Sequence, residues 1–290
     1  MAYKDETFYL FFSAFFRERG RERSHVVGVT TLDWKVFSEP FLFMDGRDDG
    51  WTGMCSPNIT RVNATYYLTF NSWGDVHPNG QKNQLFYCES EDLGHWTSYR
   101  QIGQDLTHDI RCIDIAITFY DDQFYVMWKD ESIRQPIKKY KTRIASCPLL
   151  TEPWNFIGDG YAHFFLHGGK ESSLTHENYE FIEIEGKQML LSLDYSPHHP
   201  VLYSIGGASE IEASWQTWID GRDLMLPREQ FNTNHIANAP FLADWRENDG
   251  YFYLLYAGRT HGLTHAGRGN NKLGLARSRD LTTWNVPGIA

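Results

Sequence analysis

Two carboxylates stand in surroundings that suit acid–base chemistry. Asp114 lies inside an apolar run, IDIAITF. A lone carboxylate is costly to bury without a partner, so this stretch is expected to turn Asp114 toward a lined channel. Glu177 lies in HENYEF, and Glu180, Glu183 and Glu185, which follow it, read as outward or turn charges. General acid–base work needs one group that holds a transferable proton and one ionised group that takes a proton. A neighbouring carboxylate raises the acid's pKa and keeps it protonated near neutral pH. His176 precedes Glu177 directly, and a neutral imidazole can also donate a proton, which makes it the alternative donor. HENYE is not the zinc motif HExxH, because Glu180 fills the place of the second His. Trp51, Trp73 and Trp128 fall near strand ends, where an indole face can stack on a sugar ring or pack between sheets. Arg111 and Arg259 are candidates to hold sugar hydroxyls or the carboxylates, and His235, in NTNHIANAP, is a candidate channel residue. His163 and His167 share a strand face in HFFLH with no acid apparent beside them.

The elements that position these groups repeat. SRDLTTW (278–284), SEDLGHW (90–96) and the shortened TTLDW (30–34) spell one turn, with weaker copies LLTEPW and SWQTW. Their tryptophans, Trp34, Trp96, Trp154, Trp218 and Trp284, recur roughly sixty residues apart. Upstream of each lies a strand-like apolar run, aromatic in TFYLFFS, TYYLTFN, QFYVMWK and YFYLLYA and aliphatic in KQMLLSL. These runs are short, rich in β-formers and bounded by turn residues such as VNAT, YDDQ, EIEGK and ENDGY. The pattern predicts an all-β, five-bladed β-propeller of four-stranded antiparallel blades, one domain over residues 1–290. The tryptophans are expected to pack between blades. The first strands, which line the channel in such a fold, are read as CSPNI, CIDIAI, HENYEF and NAPFL. The period is too long for WD40 repeats and their GH…WD signature is absent.

SPNITRVNATYYLTF, IDIAITFYDDQFYVMW and ENYEFIEIEGKQMLLS resemble, in turn, the AP-D/E-I…NGKYYLYYS, IDP…DDGKYYLVW and EGPH…NGYYYLFYS units of family 43 glycoside hydrolases and their five-bladed relatives. The resemblance covers the whole chain through its blade units. It implies that Glu177 is the proton donor and that Asp114 orients it and tunes its pKa, with the spacing of that family. The implied substrates are α-L-arabinofuranosyl or β-xylosyl linkages of an oligo- or polysaccharide. No cofactor is implied beyond a hydrated Ca²⁺ or Na⁺ near a channel His. Ile115 stands where the family has Pro, and Asn178 and Tyr179 stand where it has Gly-Pro. The family's base is an Asp on the first strand of blade one. Its place falls before Met1, so either the chain is a truncated form, or that blade lacks its inner strand, or the base comes from elsewhere, and the chain as written is expected to carry an incomplete catalytic set. Asp45, Asp48 and Asp49 are local substitutes, otherwise solvated loop charges. Two other readings are a family 117-like anhydrogalactosidase with His176 as acid, and a propeller that binds glycans without cleaving them. Family 32 is disfavoured, since NDPNG, RDP and EC elements are missing.

Composition agrees with a sugar-binding β-protein. The 290 residues are 16% aromatic, with 10 Trp and 16 Tyr. A net charge of -10 argues against nucleic acid, and no apolar run is long enough to span a membrane. The start has no signal-peptide pattern. The chain as written is therefore expected in the cytoplasm, or outside it if a leader precedes Met1. Cys55, Cys88, Cys112 and Cys147 lack CxxC spacing and read as buried thiols. The sequons at Asn58 and Asn63 are taken as chance. An unpaired edge in blade one invites pairing with another chain, so a homodimer or swapped segment is expected.

Overall fold

The repeated letters fold as repeated sheets. The computed structural model describes residues 1–74, 77–132, 141–173, 175–194, 199–206, 211–227, 231–232, 235–260, 262–265 and 269–286, the side chains of 194, 211–213 and 235–237 excepted. Five sheets form the blades of a five-bladed propeller. Blade one is β1 (Ala2–Lys4), β2 (Thr7–Glu18), β3 (Arg21–Thr31) and β4 (Leu42–Met44). Blade two is β5 (Gly53–Val62), β6 (Thr65–Trp73), β7 (Leu85–Ser90) and β8 (Arg100–Ile102). Blade three is β9 (Cys112–Tyr120), β10 (Gln123–Asp130), β11 (Thr142–Cys147) and β12 (Asn155–Tyr161). In blade four, β14 (His176–Ile184), β15 (Lys187–Asp194), β16 (Pro200–Ile205) and β17 (Thr217–Asp223) gain a fifth strand, β13 (His163–Leu166). It runs parallel to β17. Blade five is β18 (His235–Asp244), β19 (Phe252–Arg259), β20 (Asn271–Ser278) and β21 (Trp284–Asn285).

Blade one departs from expectation. Its first strand is present but short: β1 pairs only with Thr7–Tyr9, whereas β2 pairs along almost its whole length with β3. The turn between β1 and β2 has positive φ at Asp5 (50°) and Glu6 (61°), the backbone twist that matches a two-residue hairpin. Asp121 and Asp122, and Glu185 and Gly186, make the same turn in blades three and four.

The DLxxW turn owes its shape to its polar letters. Ser90 Oγ accepts the N–H of Leu93 at 2.8 Å, and Asp92 Oδ1 accepts those of Gly94 and His95, both at 2.8 Å. Leu93 takes φ 69° and Trp96 Nε1 donates to its carbonyl. Asp280, Leu281 and Trp284 repeat the later steps, while Ser278 Oγ accepts the Asp280 N–H at 3.3 Å. The first copy is different. Thr31 and Asp33 do what Ser90 and Asp92 do, but Trp34 takes φ 62° in the place of Leu93. Trp34 thus occupies the turn itself, beside Phe8 at 5.1 Å, and is not the packing tryptophan of its blade.

The chain divides into two compact units, Met1–Ser132 with Ala145–Asn155, and Ile133–Ile144 with Phe156–Ala290. In the first, one core gathers Val26, Met54, Leu68, Phe70 and Phe86 with Trp96 against it, and another gathers Ile115, Ile117, Val126, Trp128 and Trp154. In the second, Leu191, Leu202, Leu254, Tyr256 and Trp284 form the core. The four cysteines form no disulfide and are buried, and burial pushes the Cys55 and Cys147 thiols up to about 12. No helix of the described residues is long and apolar enough to cross a membrane.

Candidate functional site

One backbone device recurs in blades two to five; it carries Asp114 and begins one residue after Glu177. In β5 the ladder jumps from Cys55↔Asn71 to Asn58↔Thr69. In β9 it jumps from Ile113↔Lys129 to Ala116↔Met127, and in β14 from Glu177↔Leu193 to Glu180↔Leu191. In β18 it jumps from Asn238↔Ala257 to Phe241↔Leu255. Each time two residues face one, the definition of a bulge that re-aims side chains. The first bulge residue is left-handed in every case: Ser56 at φ 55°, Asp114 at 57°, Asn178 at 54° and Ala239 at 45°. None is glycine, so each bulge holds roughly 1–2 kcal/mol of backbone strain that its surroundings must offset.

The offset is visible in the first unit. A bulge N–H leaves the ladder and needs another acceptor. The N–H of Asp114 donates to Asn71 Oδ1 at 2.9 Å, and that of Ser56 donates to Ser13 Oγ at 2.8 Å. Asn71 and Ser13 are each the seventh residue of their strands, the last letters of TYYLTFN and TFYLFFS. Ser56 Oγ–H then donates to Asp114 Oδ1 at 2.8 Å, so adjacent bulges are joined through the carboxylate. Asp114 is buried, with this hydroxyl to compensate it. Asn71, wholly buried, also donates to Cys55 Sγ and to the carbonyl of Ser72. Asn71→Leu keeps the volume but strands the Asp114 N–H. It is expected to cost about 1–3 kcal/mol in urea unfolding; a loss below a few tenths would show that the latch contributes nothing.

In the second unit Glu177 lies immediately before the bulge residue Asn178 and is half-buried. Tyr179, in the place where the family has Pro, secures this bulge differently. Its hydroxyl donates to the carbonyl of His176 at 2.7 Å and lies 2.7 Å from Thr142 Oγ1. Glu180 corrects the sequence reading: it is no outward charge but buried, with Oε2 accepting the Leu242 N–H at 2.7 Å. Burial pushes its carboxyl up to about 8, against the opposing pull of that N–H. Glu183 and Glu185 are exposed as read.

His176 does not fit a donor to substrate. It is 2% exposed, lies 3.1 Å from Ser192 Oγ and 3.2 Å from Ser172 Oγ, and packs on Phe164 at 4.2 Å. Burial pushes its pKa down to about 3, so the ring is neutral and occupied on both nitrogens. Trp128 is also corrected. It opposes the Asp114–Ile115 bulge, is 0% exposed and packs 5.5 Å from Trp154, so it has no face for a sugar. Trp51 is buried too, edge-on to Phe86, beside a cavity of about 320 Å³ that Asp49, His77, Gln81 and Tyr99 also line. Trp73 is half-buried, with Arg111 over its ring at 5.7 Å. Arg259 is buried at the end of β19. The side chain of His235 lies outside the described residues.

The remaining polar candidates have structural partners. Asp45 accepts the Arg47 N–H, and Asp49 accepts the Tyr99 hydroxyl. His163 lies 3.4 Å from Asp159 and His167 bonds Asp220, so acids do accompany these histidines, contrary to the sequence reading. Among the described residues no group of three or more His, Cys, Asp or Glu is placed to hold a metal ion.

No protein-family model and no curated protein matches the chain in sequence. Solved structures match its fold. An exo-1,5-α-L-arabinanase from a bovine ruminal metagenomic library superposes with TM-score 0.58 at 12% identity, over 95% of this chain and 96% of that one. An α-L-arabinofuranosidase from Lactobacillus brevis gives 0.58 at 11%, over 94% and 92%. A protein of family 130, a family of mannoside phosphorylases containing glycoside hydrolases that target β-1,2 mannosidic linkages in Candida mannan, gives 0.65 at 13%, over 99% and 85%. The chain spans 41% of the Bacteroides ovatus xyloglucan GH43B protein and 42% of a xylan β-1,4-xylosidase from Bacillus halodurans. The likeness is one of fold, shared with the propellers of families 43 and 130; the family 117 alternative has no support among these similarities.

Proposed function

We propose that this protein is a glycoside hydrolase that cleaves α-L-arabinofuranosyl or β-xylosyl linkages with inversion. One observation carries the reading. The two carboxylates singled out by the sequence sit at the same kind of structural device, Asp114 as the first residue of its bulge and Glu177 as the last laddered residue before another. Bulges re-aim side chains and are over-represented beside active sites, and the fold is one that known glycosidases share. In this reading Glu177 protonates the leaving oxygen. Asp114, held by the Ser56 hydroxyl, is the second carboxylate of the set. Trp73 offers the half-buried indole face. The base is an aspartate not assigned among these residues.

The test is hydrolysis of aryl arabinofuranosides and xylosides by the wild-type chain and Asp114→Asn, with the anomer of the first product read by NMR. Turnover with inversion, reduced in the variant, is expected. A folded protein that binds these sugars and releases no aglycone would overturn the hydrolase and leave a glycan-binding propeller. Retention of configuration would overturn the mechanism alone.

A further inference from the structure

Among the described half-buried arginines, Arg111 is the one whose guanidinium has neither a hydrogen bond nor an ion pair, although Arg23 Nε is likewise buried and without a hydrogen bond. It immediately precedes β9, three residues before Asp114, and is half-buried with its guanidinium over the Trp73 ring. Its Nε has no accessible surface and no hydrogen-bond partner. Among the described residues the guanidinium makes no hydrogen bond or ion pair. Other half-buried arginines have acceptors: Arg23 reaches the carbonyl of Thr52 at 2.9 Å and Glu18 at 3.5 Å, and Arg246 is clamped by Asp244 and Glu185. The acids nearest Arg111 in sequence are committed elsewhere, Asp109 to His108 Nδ1 at 2.9 Å and Asp114 to the Ser56 hydroxyl at 2.8 Å, as are two acids that contact its neighbours. Glu131 pairs with Lys129 at 2.8 Å, and Glu22 accepts the Trp73 indole N–H at 3.3 Å. A partly desolvated cation with five donors and no acceptor is costly, and such a group calls for an explanation.

We propose that Arg111 and Trp73 form a subsite for an anionic sugar unit, one bearing a carboxylate or a sulfate ester. This rests on the glycoside-hydrolase reading above. Trp73 is fixed for the purpose by Glu22 on its nitrogen and Phe15 edge-on at 5.5 Å, so its ring is a rigid platform. The guanidinium fork matches a carboxylate or sulfate bidentately, whereas a hydroxyl fills one donor at a time. The chain's net charge of -10 repels polyanions as a whole. The preference is therefore for a single acidic unit in an otherwise neutral glycan.

The test is calorimetric binding of two matched pairs. One is a xylo-oligosaccharide with and without one glucuronate; the other is a galacto-oligosaccharide with and without one sulfate ester. In the wild type, the acidic member of one pair is expected to bind about tenfold more tightly than its neutral partner, less so at high salt. Arg111→Gln should erase that difference, and Arg111→Lys should restore part of it. The pair that responds identifies carboxylate or sulfate. Equal binding within both pairs, no binding of any probe, or a preference that survives Arg111→Gln at an unchanged melting temperature would overturn the subsite. A preference without turnover on any glycoside would sink the hydrolase reading and leave the subsite standing.

Discussion

Glu177→Gln is expected to lower turnover by about 10²–10⁴-fold, the usual worth of a positioned proton donor, with sugar affinity and fold retained. The amide keeps the shape of the acid and removes its transferable proton. Glu180→Gln is the informative control, because Glu180 is the better acid by one criterion. Burial holds its carboxyl up at about 8, so it is protonated at neutral pH, as a general acid should be. Placement argues the other way. Glu180 lies beyond the bulge, 5% exposed, with one oxygen committed to the Leu242 N–H, and a donor must reach the leaving oxygen. Glu177 precedes the bulge and is half-buried. Kinetics of both variants on one aryl glycoside decide the matter. Glu180→Gln should stay within a few-fold of wild type. If it loses turnover and Glu177→Gln does not, the roles exchange and the assignment drawn from the sequence falls.

What could be read from the letters, and what could not, follows from how local each cause is. Blades were legible because aromatic strands and turn residues encode themselves over a few positions: TYYLTFN needs only its neighbours to be a strand, and SEDLGHW carries its own hydrogen bonds. The bulges were not legible, because nothing in IDI or ENY marks positive φ as Gly would; Asp114 and Asn178 adopt it where the fold supplies an acceptor or a bracing hydroxyl. One signal was available. Ser13 and Asn71 are polar residues at the same, seventh place of two otherwise largely apolar runs, and each takes a bulge N–H. Trp34 misled because TTLDW has the letters of the longer turn with the Trp moved to the Leu position. Trp128 and Glu180 misled for a common reason: alternation along a strand does not say which face is covered, and here the covering comes from Trp154 and from Leu242, distant in sequence.

The pH dependence of stability should carry the mark of His176 and Glu180 together. Glu180 has a folded value of about 8 against an ordinary 4.5. The folded chain holds its proton where the unfolded chain releases it, so its contribution is complete below 4.5 and is lost as pH rises toward 8. His176 has a folded value of about 3 against 6.5. Here the unfolded chain takes the proton first, so its contribution is complete above 6.5 and is lost as pH falls toward 3. Each slope is at most about 1.4 kcal/mol per pH unit. Between 4.5 and 6.5 the two slopes oppose and cancel, which places a plateau there and a decline on either side. Glu180→Gln cannot ionise, yet its carbonyl can still accept the Leu242 N–H. Its stability should climb from pH 4.5 to 6.5, where the wild type is level, and hold from 6.5 to 8, where the wild type falls. Urea unfolding at pH 4.5, 6.5 and 8 measures this as a difference between two curves, so groups common to both proteins drop out. Parallel curves across that range would mean that Glu180 is ionised in the folded chain and that the Leu242 N–H, rather than burial, governs its carboxyl.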